Sequence, residues 1–138
     1  RSISMSGVRA RGIRIPREEY DRVKFVDFRQ CNFLEGGDME SLLNLNARIE
    51  ASEREMNMGA GYGVHYLMPY RGADENVSYD FVSMTHFYSA KARSGLVAGW
   101  PEFSEMMNEK GYFAEFQAIA ECGPISTFRT DWLYNSAN

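Results

Sequence analysis

Three observations predict an α+β fold for this chain. Val23–Phe33 and Tyr79–Ser89 are runs of β-branched and aromatic residues, helical periodicity separates such runs elsewhere, and the two central runs are joined by a short polar loop. The element order is strand, helix, strand, strand, helical region, strand. At 138 residues, with 44% hydrophobic and 25% charged, the chain is one domain's worth and is neither disordered nor collagenous.

Residues 1–22 carry scattered Gly, Ser and Arg without a sustained period and read as an arginine-rich extended arm. Residues 23–138 then form a single domain. In the first strand, Val23–Phe33, one face presents Phe25, Asp27, Arg29 and Cys31, and the other Val26, Phe28 and Gln30. Gly36 and Gly37 break it. Asp38 is placed to cap a helix of about Met39–Asn57, whose Met39, Leu42, Leu43, Ile49 and Met56 share one stripe, with Gly59 beyond its end. Tyr62–Tyr70 is the second strand and Arg71–Ser78 the hairpin loop. Tyr79–Ser89 is the third strand and the clearest in the chain. Ser89 caps a helical region that Gly95, Gly99 and Pro101 interrupt and Gly111 divides again. Tyr112–Cys122 completes that region at helical spacing, Gly123-Pro124 ends it, and Ile125–Tyr134 alternates as the last strand.

Two interleaved βαβ units in this order predict the ferredoxin-like βαββαβ pattern, a four-stranded antiparallel sheet of order 4-1-3-2 with helices on one face. The other face is left open. Because the strands carry apolar residues on both faces, a second copy of the chain is the expected cover, which makes a homodimer the expected partner state.

The element order, the Tyr79-Asp80-Phe81-Val82 opening and Phe87-Tyr88-Ser89 closing of the third strand, and Trp100 in the helical region resemble the dimeric α/β-barrel superfamily, in particular its small uncharacterised bacterial and marine-metagenomic members. The resemblance spans about Val23–Tyr134. It implies a pairing of sheets into a dimeric α/β barrel with a pocket per subunit, in a superfamily that includes cofactor-independent monooxygenases, small isomerases and haem-acting enzymes.

The net charge of −4 hides an asymmetry: residues 1–24 hold seven basic and three acidic side chains, and the remainder eight basic and sixteen acidic. An acidic body does not suit a nucleic acid, and no apolar run reaches the roughly 20 residues that a membrane span needs. Neither partner is expected. Arg9, Arg11, Arg14 and Arg17 read as a solvated arm over the chain's own acidic domain or a partner subunit's. No charged segment followed by an apolar one marks a targeting sequence here, which leaves the compartment open. Gly59–Gly63 lies between a helix and a strand, the reverse of a nucleotide loop, and Asn76-Val77-Ser78 is a bare sequon. No cofactor is expected.

His65 and His86 are the chain's two histidines and stand on the two strands of one hairpin. Their positions sum to an odd number, so any odd-sum antiparallel register places both rings on one face, opposite each other when the sum is 151 and diagonal when it is 149, whereas an even-sum register would separate them. They are the candidate catalytic acid and base, and the competing reading is two hydrogen-bonded strand histidines. No third ligand suggests a metal. Asp27 and Arg29 share a face of the first strand, as Arg129 and Asp131 share one of the last; such charges form a cross-strand ion network or line a wet cavity, where Arg29 or Arg129 would anchor a carboxylate or enolate. The 14% aromatic content, with Tyr66 and Trp132 among the candidates for a ligand, points to an apolar pocket, an aromatic interface or ordinary core.

Cys31 and Cys122 should lie at one edge of the domain, as two inert thiols in proximity rather than as a bridge. The expected function is binding of a small apolar or aromatic molecule in a barrel cavity, with cofactor-independent, monooxygenase- or isomerase-like catalysis open to it. The alternative is a non-enzymatic dimerisation module with a filled barrel, and cavity volume separates the two.

Overall fold

The computed structural model describes residues 5–69 and 78–131. In chain order it contains β1 (Met5–Ile13), a 3-10 turn (Arg17–Glu19), β2 (Val23–Phe33), α1 (Met39–Glu55), β3 (Tyr62–Pro69), β4 (Phe81–Phe87), α2 (Ala90–Ala98), α3 (Trp100–Glu109), α4 (Tyr112–Ile119), β5 (Ala120–Cys122) and β6 (Ser126–Asp131).

This corrects the expected four-stranded, ferredoxin-like sheet. The strands form one six-stranded antiparallel sheet of order β1-β3-β4-β2-β5, with β6 also pairing β2. Two strands are added for identifiable reasons. Without β1 the outer edge of β3 would leave a row of backbone N–H and C=O groups unpaired. The segment read as an arm supplies the missing ladder, running from Met5 opposite Pro69 to Ile13 opposite Tyr62. At the other edge, the end of the expected last helix straightens into β5, which pairs Cys31 with Cys122, and β6 takes up the pairing from Phe28 opposite Ser126 to Val23 opposite Asp131. That edge of β2 is therefore shared by two short strands divided by Gly123–Ile125.

Both expected helix caps are present. Ser41 N donates to Asp38 Oδ1 at 2.8 Å, and Ala92 N to Ser89 Oγ at 2.9 Å. Pro101 stands in the first turn of α3, and Gly111, at φ +73°, takes the left-handed turn into α4 that a side chain would strain. The helices cover one face of the sheet. Leu42, Leu45 and Ile49 of α1, Phe103, Met106 and Met107 of α3, and Tyr112 and Ile119 of α4 close over Tyr62, Val64, Tyr66, Phe81 and Phe87 of the sheet. None of these helices is long and apolar enough to cross a membrane.

The two sulfurs form a disulfide, with Cα atoms 4.1 Å apart across the β2–β5 pair. The shared edge was legible in the order of elements, but the expectation of separate thiols is corrected. Antiparallel register puts the two residues directly opposite each other, which the spacing along the chain does not show.

Candidate functional site

Between the helical layer and the sheet lies a cleft of about 640 Å³. One chain forms it from its own sheet and helices. One wall is apolar: Ile49, Leu96, Trp100, Phe103, Phe113 and Phe116 face it from the helices. The sheet contributes Val64 and Phe87 together with polar side chains at both ends.

At one end is a buried network. Arg11 enters from β1, donating from Nε to Asn46 Oδ1 at 2.8 Å and from Nη1 to Glu53 Oε1 at 3.1 Å and to the Tyr62 hydroxyl. Tyr62 in turn donates to Glu53, and Asn46 Nδ2 donates to the Tyr66 hydroxyl and to the Leu42 carbonyl, both at 2.8 Å. The Arg11 guanidinium also lies 5.2 Å from the Tyr62 ring centre and 6.0 Å from that of Phe103. Burial opposes the Arg11 charge, yet Tyr62 and Glu53 together outweigh it and raise its pKa. Burial likewise raises Glu53 above the usual carboxylate value, and Arg11 and Tyr62 only partly reverse this. Tyr62 is raised as well, first by burial, so its phenol stays protonated.

At the other end stand Asp27 and Arg29. Asp27 accepts from Thr127 Oγ1 at 2.7 Å. Arg29 donates from Nε to the Gly123 carbonyl at 2.9 Å and from Nη2 to the Cys122 carbonyl at 3.4 Å. Its Nη1 has no protein partner among the described residues. Asp27 and Arg29 thus line a cavity, one of the two expected arrangements, while the side chains of Arg129 and Asp131, the other members of the expected ion network, lie outside those described. The disulfide-closed segment holds the Arg29 guanidinium in place.

The sequence-derived candidates divide between the two faces. Asp27, Arg29 and Tyr66 line the cleft. His65 and His86 lie on the reverse face, where Gly63 opposite His86 fixes the odd-sum register of 149 and the rings are 4.9 Å apart. They share a face, as expected, but not with the cleft. Arg129 stands opposite Phe25 in the β2–β6 register, and Trp132 lies outside the described residues, as does most of the hairpin loop. Arg11, Asn46, Glu53 and Tyr62 were not anticipated as a group. The signal was available in α1, where polar Asn46, Ser52 and Glu53 continue the buried stripe of Leu42, Leu45 and Ile49.

Among the described residues, no three His, Cys, Asp or Glu side chains are grouped to hold a metal ion. The chain matches no family model, no curated protein and no solved structure, so these comparisons do not identify it with the dimeric α/β-barrel superfamily.

Proposed function

We propose that the chain binds a small aromatic or largely apolar molecule bearing a carboxylate or enolate in the cleft between sheet and helices. Arg29 is the anchor. The observation that carries this reading is a guanidinium whose Nη1 edge has no protein partner among the described residues, in a cleft with aromatic walls and of a volume usual for small-molecule sites. The Arg11–Glu53–Tyr62 network supports it differently, by holding a hydroxyl-rich end wall in one geometry. Calorimetry with naphthoate and its neutral alcohol, naphthalenemethanol, tests the proposal. Naphthoate should bind more tightly, and Arg29→Met should weaken naphthoate about tenfold or more while leaving the alcohol unchanged. Absence of binding by either probe, together with native mass spectra showing no copurified small molecule, would overturn it.

A second reading, assembly, is favoured by one observation. Phe128 is 54% exposed beside Phe28, with their rings 5.5 Å apart on the reverse face. The occupant this suggests is a second copy of the chain, and light scattering at micromolar concentration distinguishes dimer from monomer.

A further inference from the structure

The reverse face carries a polar group that the cleft does not use. Arg9 on β1 is opposite His65 on β3, and His86 on the next strand, β4, is opposite Gly63. Beneath them Gly12 and Gly63 face each other across β1 and β3. Neither glycine has room for a Cβ. One built on Gly63 would come within 2.7 Å of His86 Nε2, and one on Gly12 within 2.5 Å of Arg9 Nη2. Arg9 Nη2 donates to the Gly12 carbonyl at 3.0 Å, so the guanidinium is fixed over a floor that only glycine provides.

The surroundings are basic and aromatic. Tyr20 and Tyr88 stack at 4.6 Å, Tyr88 meets the His86 ring edge-on at 4.9 Å, and Lys24 Nζ lies 5.0 Å from the Tyr20 ring centre. The charged groups acting on the two imidazoles are Arg9 and Arg14 beside β1, Lys24 on β2, and His65 on β3. All are basic. Two acids border the cluster: Asp21 acts on Lys24 and accepts the Ala90 N–H at 2.6 Å, and Glu50 on α1 accepts the Gly12 N–H at 2.7 Å and interacts with the Arg9 charge. In the same cluster, His65 Nδ1 is the buried side-chain polar atom left without a hydrogen-bond partner among the described residues. Crowded like charges and an unpartnered buried nitrogen are both unfavourable, and their coincidence marks a place where a ligand would relieve the cost.

We propose that Arg9, His65 and His86 form an oxyanion site over the Gly12–Gly63 floor, taking a phosphate or carboxylate group. The guanidinium offers forked N–H donors, and each imidazole adds one donor when neutral and two when protonated. Without the anion, burial first and then the basic neighbours keep both rings below their ordinary pKa, with His86 down at about 4. An anion reverses that field and raises both. Binding therefore takes up protons, and affinity increases as pH falls by up to about tenfold per pH unit for each proton taken up.

The test is a pH titration of the histidine ring resonances of the full chain, with and without inorganic phosphate, alongside calorimetry at about pH 6 and about pH 8. Phosphate should move both histidines to higher apparent pKa and bind more tightly at the lower pH. Phenyl phosphate and benzoate identify the source. Tighter binding of phenyl phosphate indicates an aromatic phosphate flanked by the tyrosine stack, tighter benzoate a carboxylate, and equal affinity for phosphate and phenyl phosphate the free ion. Arg9→Gln should abolish the response, whereas Arg29→Met, in the cleft, should leave it intact and so separates this site from the other. Histidine titrations unaffected by any of the three anions, or a phosphate effect that persists in Arg9→Gln, would overturn the proposal.

Discussion

Arg9 and Arg11 stand two residues apart on β1 and end on opposite sides of the sheet. In an unbroken strand, positions i and i+2 share a face. Here the register passes from Arg9 opposite His65 to Arg11 opposite Val64, so Ala10 is an extra residue, a β-bulge that turns the strand by one position. Arg11 is thereby sent into the helix-covered layer, where its side chain is 14% exposed and pairs with a Glu53 carboxylate that is 1% exposed. Arg9 is left among histidines and other basic groups. The same side chain becomes part of a buried ion pair on one face and of a predominantly basic cluster on the other. The difference shows that alternation assigns a face only where the ladder is continuous.

The comparison predicts unequal consequences of one substitution. Arg11→Met leaves the Glu53 carboxylate buried beside Tyr62 without its cation, and should cost about 3 to 5 kcal/mol of unfolding free energy in urea. Arg9→Met removes one of several like charges and should change stability by less than about 1 kcal/mol. Equal losses in the two variants would remove the distinction between the faces.

The disulfide sharpens it from the far end of the cleft. A link spanning 91 residues contributes up to about 4 kcal/mol in the chain-entropy model. It also steadies the Cys122 and Gly123 carbonyls that accept from Arg29. Reduction should therefore lower the melting temperature and weaken naphthoate binding, while the histidine titration on the reverse face stays unchanged. Thiol counting checks the premise, with no free thiol after unfolding without reductant and two after reduction. A smaller effect is expected from deleting Ala10. Deletion makes Arg9 and Arg11 neighbours in an unbroken ladder, where alternation keeps them on opposite faces, so the buried pair and the phosphate response should both persist and urea unfolding should shift by less than about 1 kcal/mol. Loss of either would mean that the bulge itself is needed to place them.

Much of the frame was readable from local chemistry. Strand composition at Val23–Phe33, the caps Asp38 and Ser89, and the breaks at Gly99-Trp100-Pro101 and Gly111 are decided within a few residues, and each appears where its side chains place it. The edges of the sheet were not readable, because they depend on partners far along the chain. Met5–Ile13 lacks strand composition and becomes a strand by completing the β3 ladder, while Ala120–Cys122 continues a helical pattern until pairing with β2 overrides it. The candidate site was divided for the same reason. Parity placed the histidines on a common face only for an odd-sum register, which the β3–β4 pairing supplies, and period two placed Asp27 with Arg29. Which face the helices cover is decided by the apolar partners of α1, α3 and α4, and no single strand contains that information.

The smallest expected effect concerns the histidines and the pH dependence of stability. Burial holds His86 at about 4, below its ordinary 6.5, and His65 is shifted in the same direction. Above pH 6.5 neither the folded nor the unfolded chain protonates His86, so it has no effect. Between 6.5 and about 4 the unfolded chain binds a proton that the folded chain does not, and stability falls as the solution is acidified. Glu50 and Glu115 have lowered pKa values and act mainly below the ordinary 4.5, so they leave most of this window to the rings. Glu53, raised by burial, acts in the opposite sense, since its folded form takes up a proton above 4.5 and gains stability as pH drops. It is common to wild type and His86→Gln, so their difference isolates the ring. Urea midpoints measured from about pH 7 to about pH 5 should decline less steeply in His86→Gln. Saturating phosphate should flatten the wild-type decline toward that of the variant, because an anion over Arg9 raises the folded-state pKa toward the unfolded one. Parallel declines in both proteins would mean that His86 titrates as an exposed ring, and the reverse face would lose the electrostatic contrast with the Arg11 network.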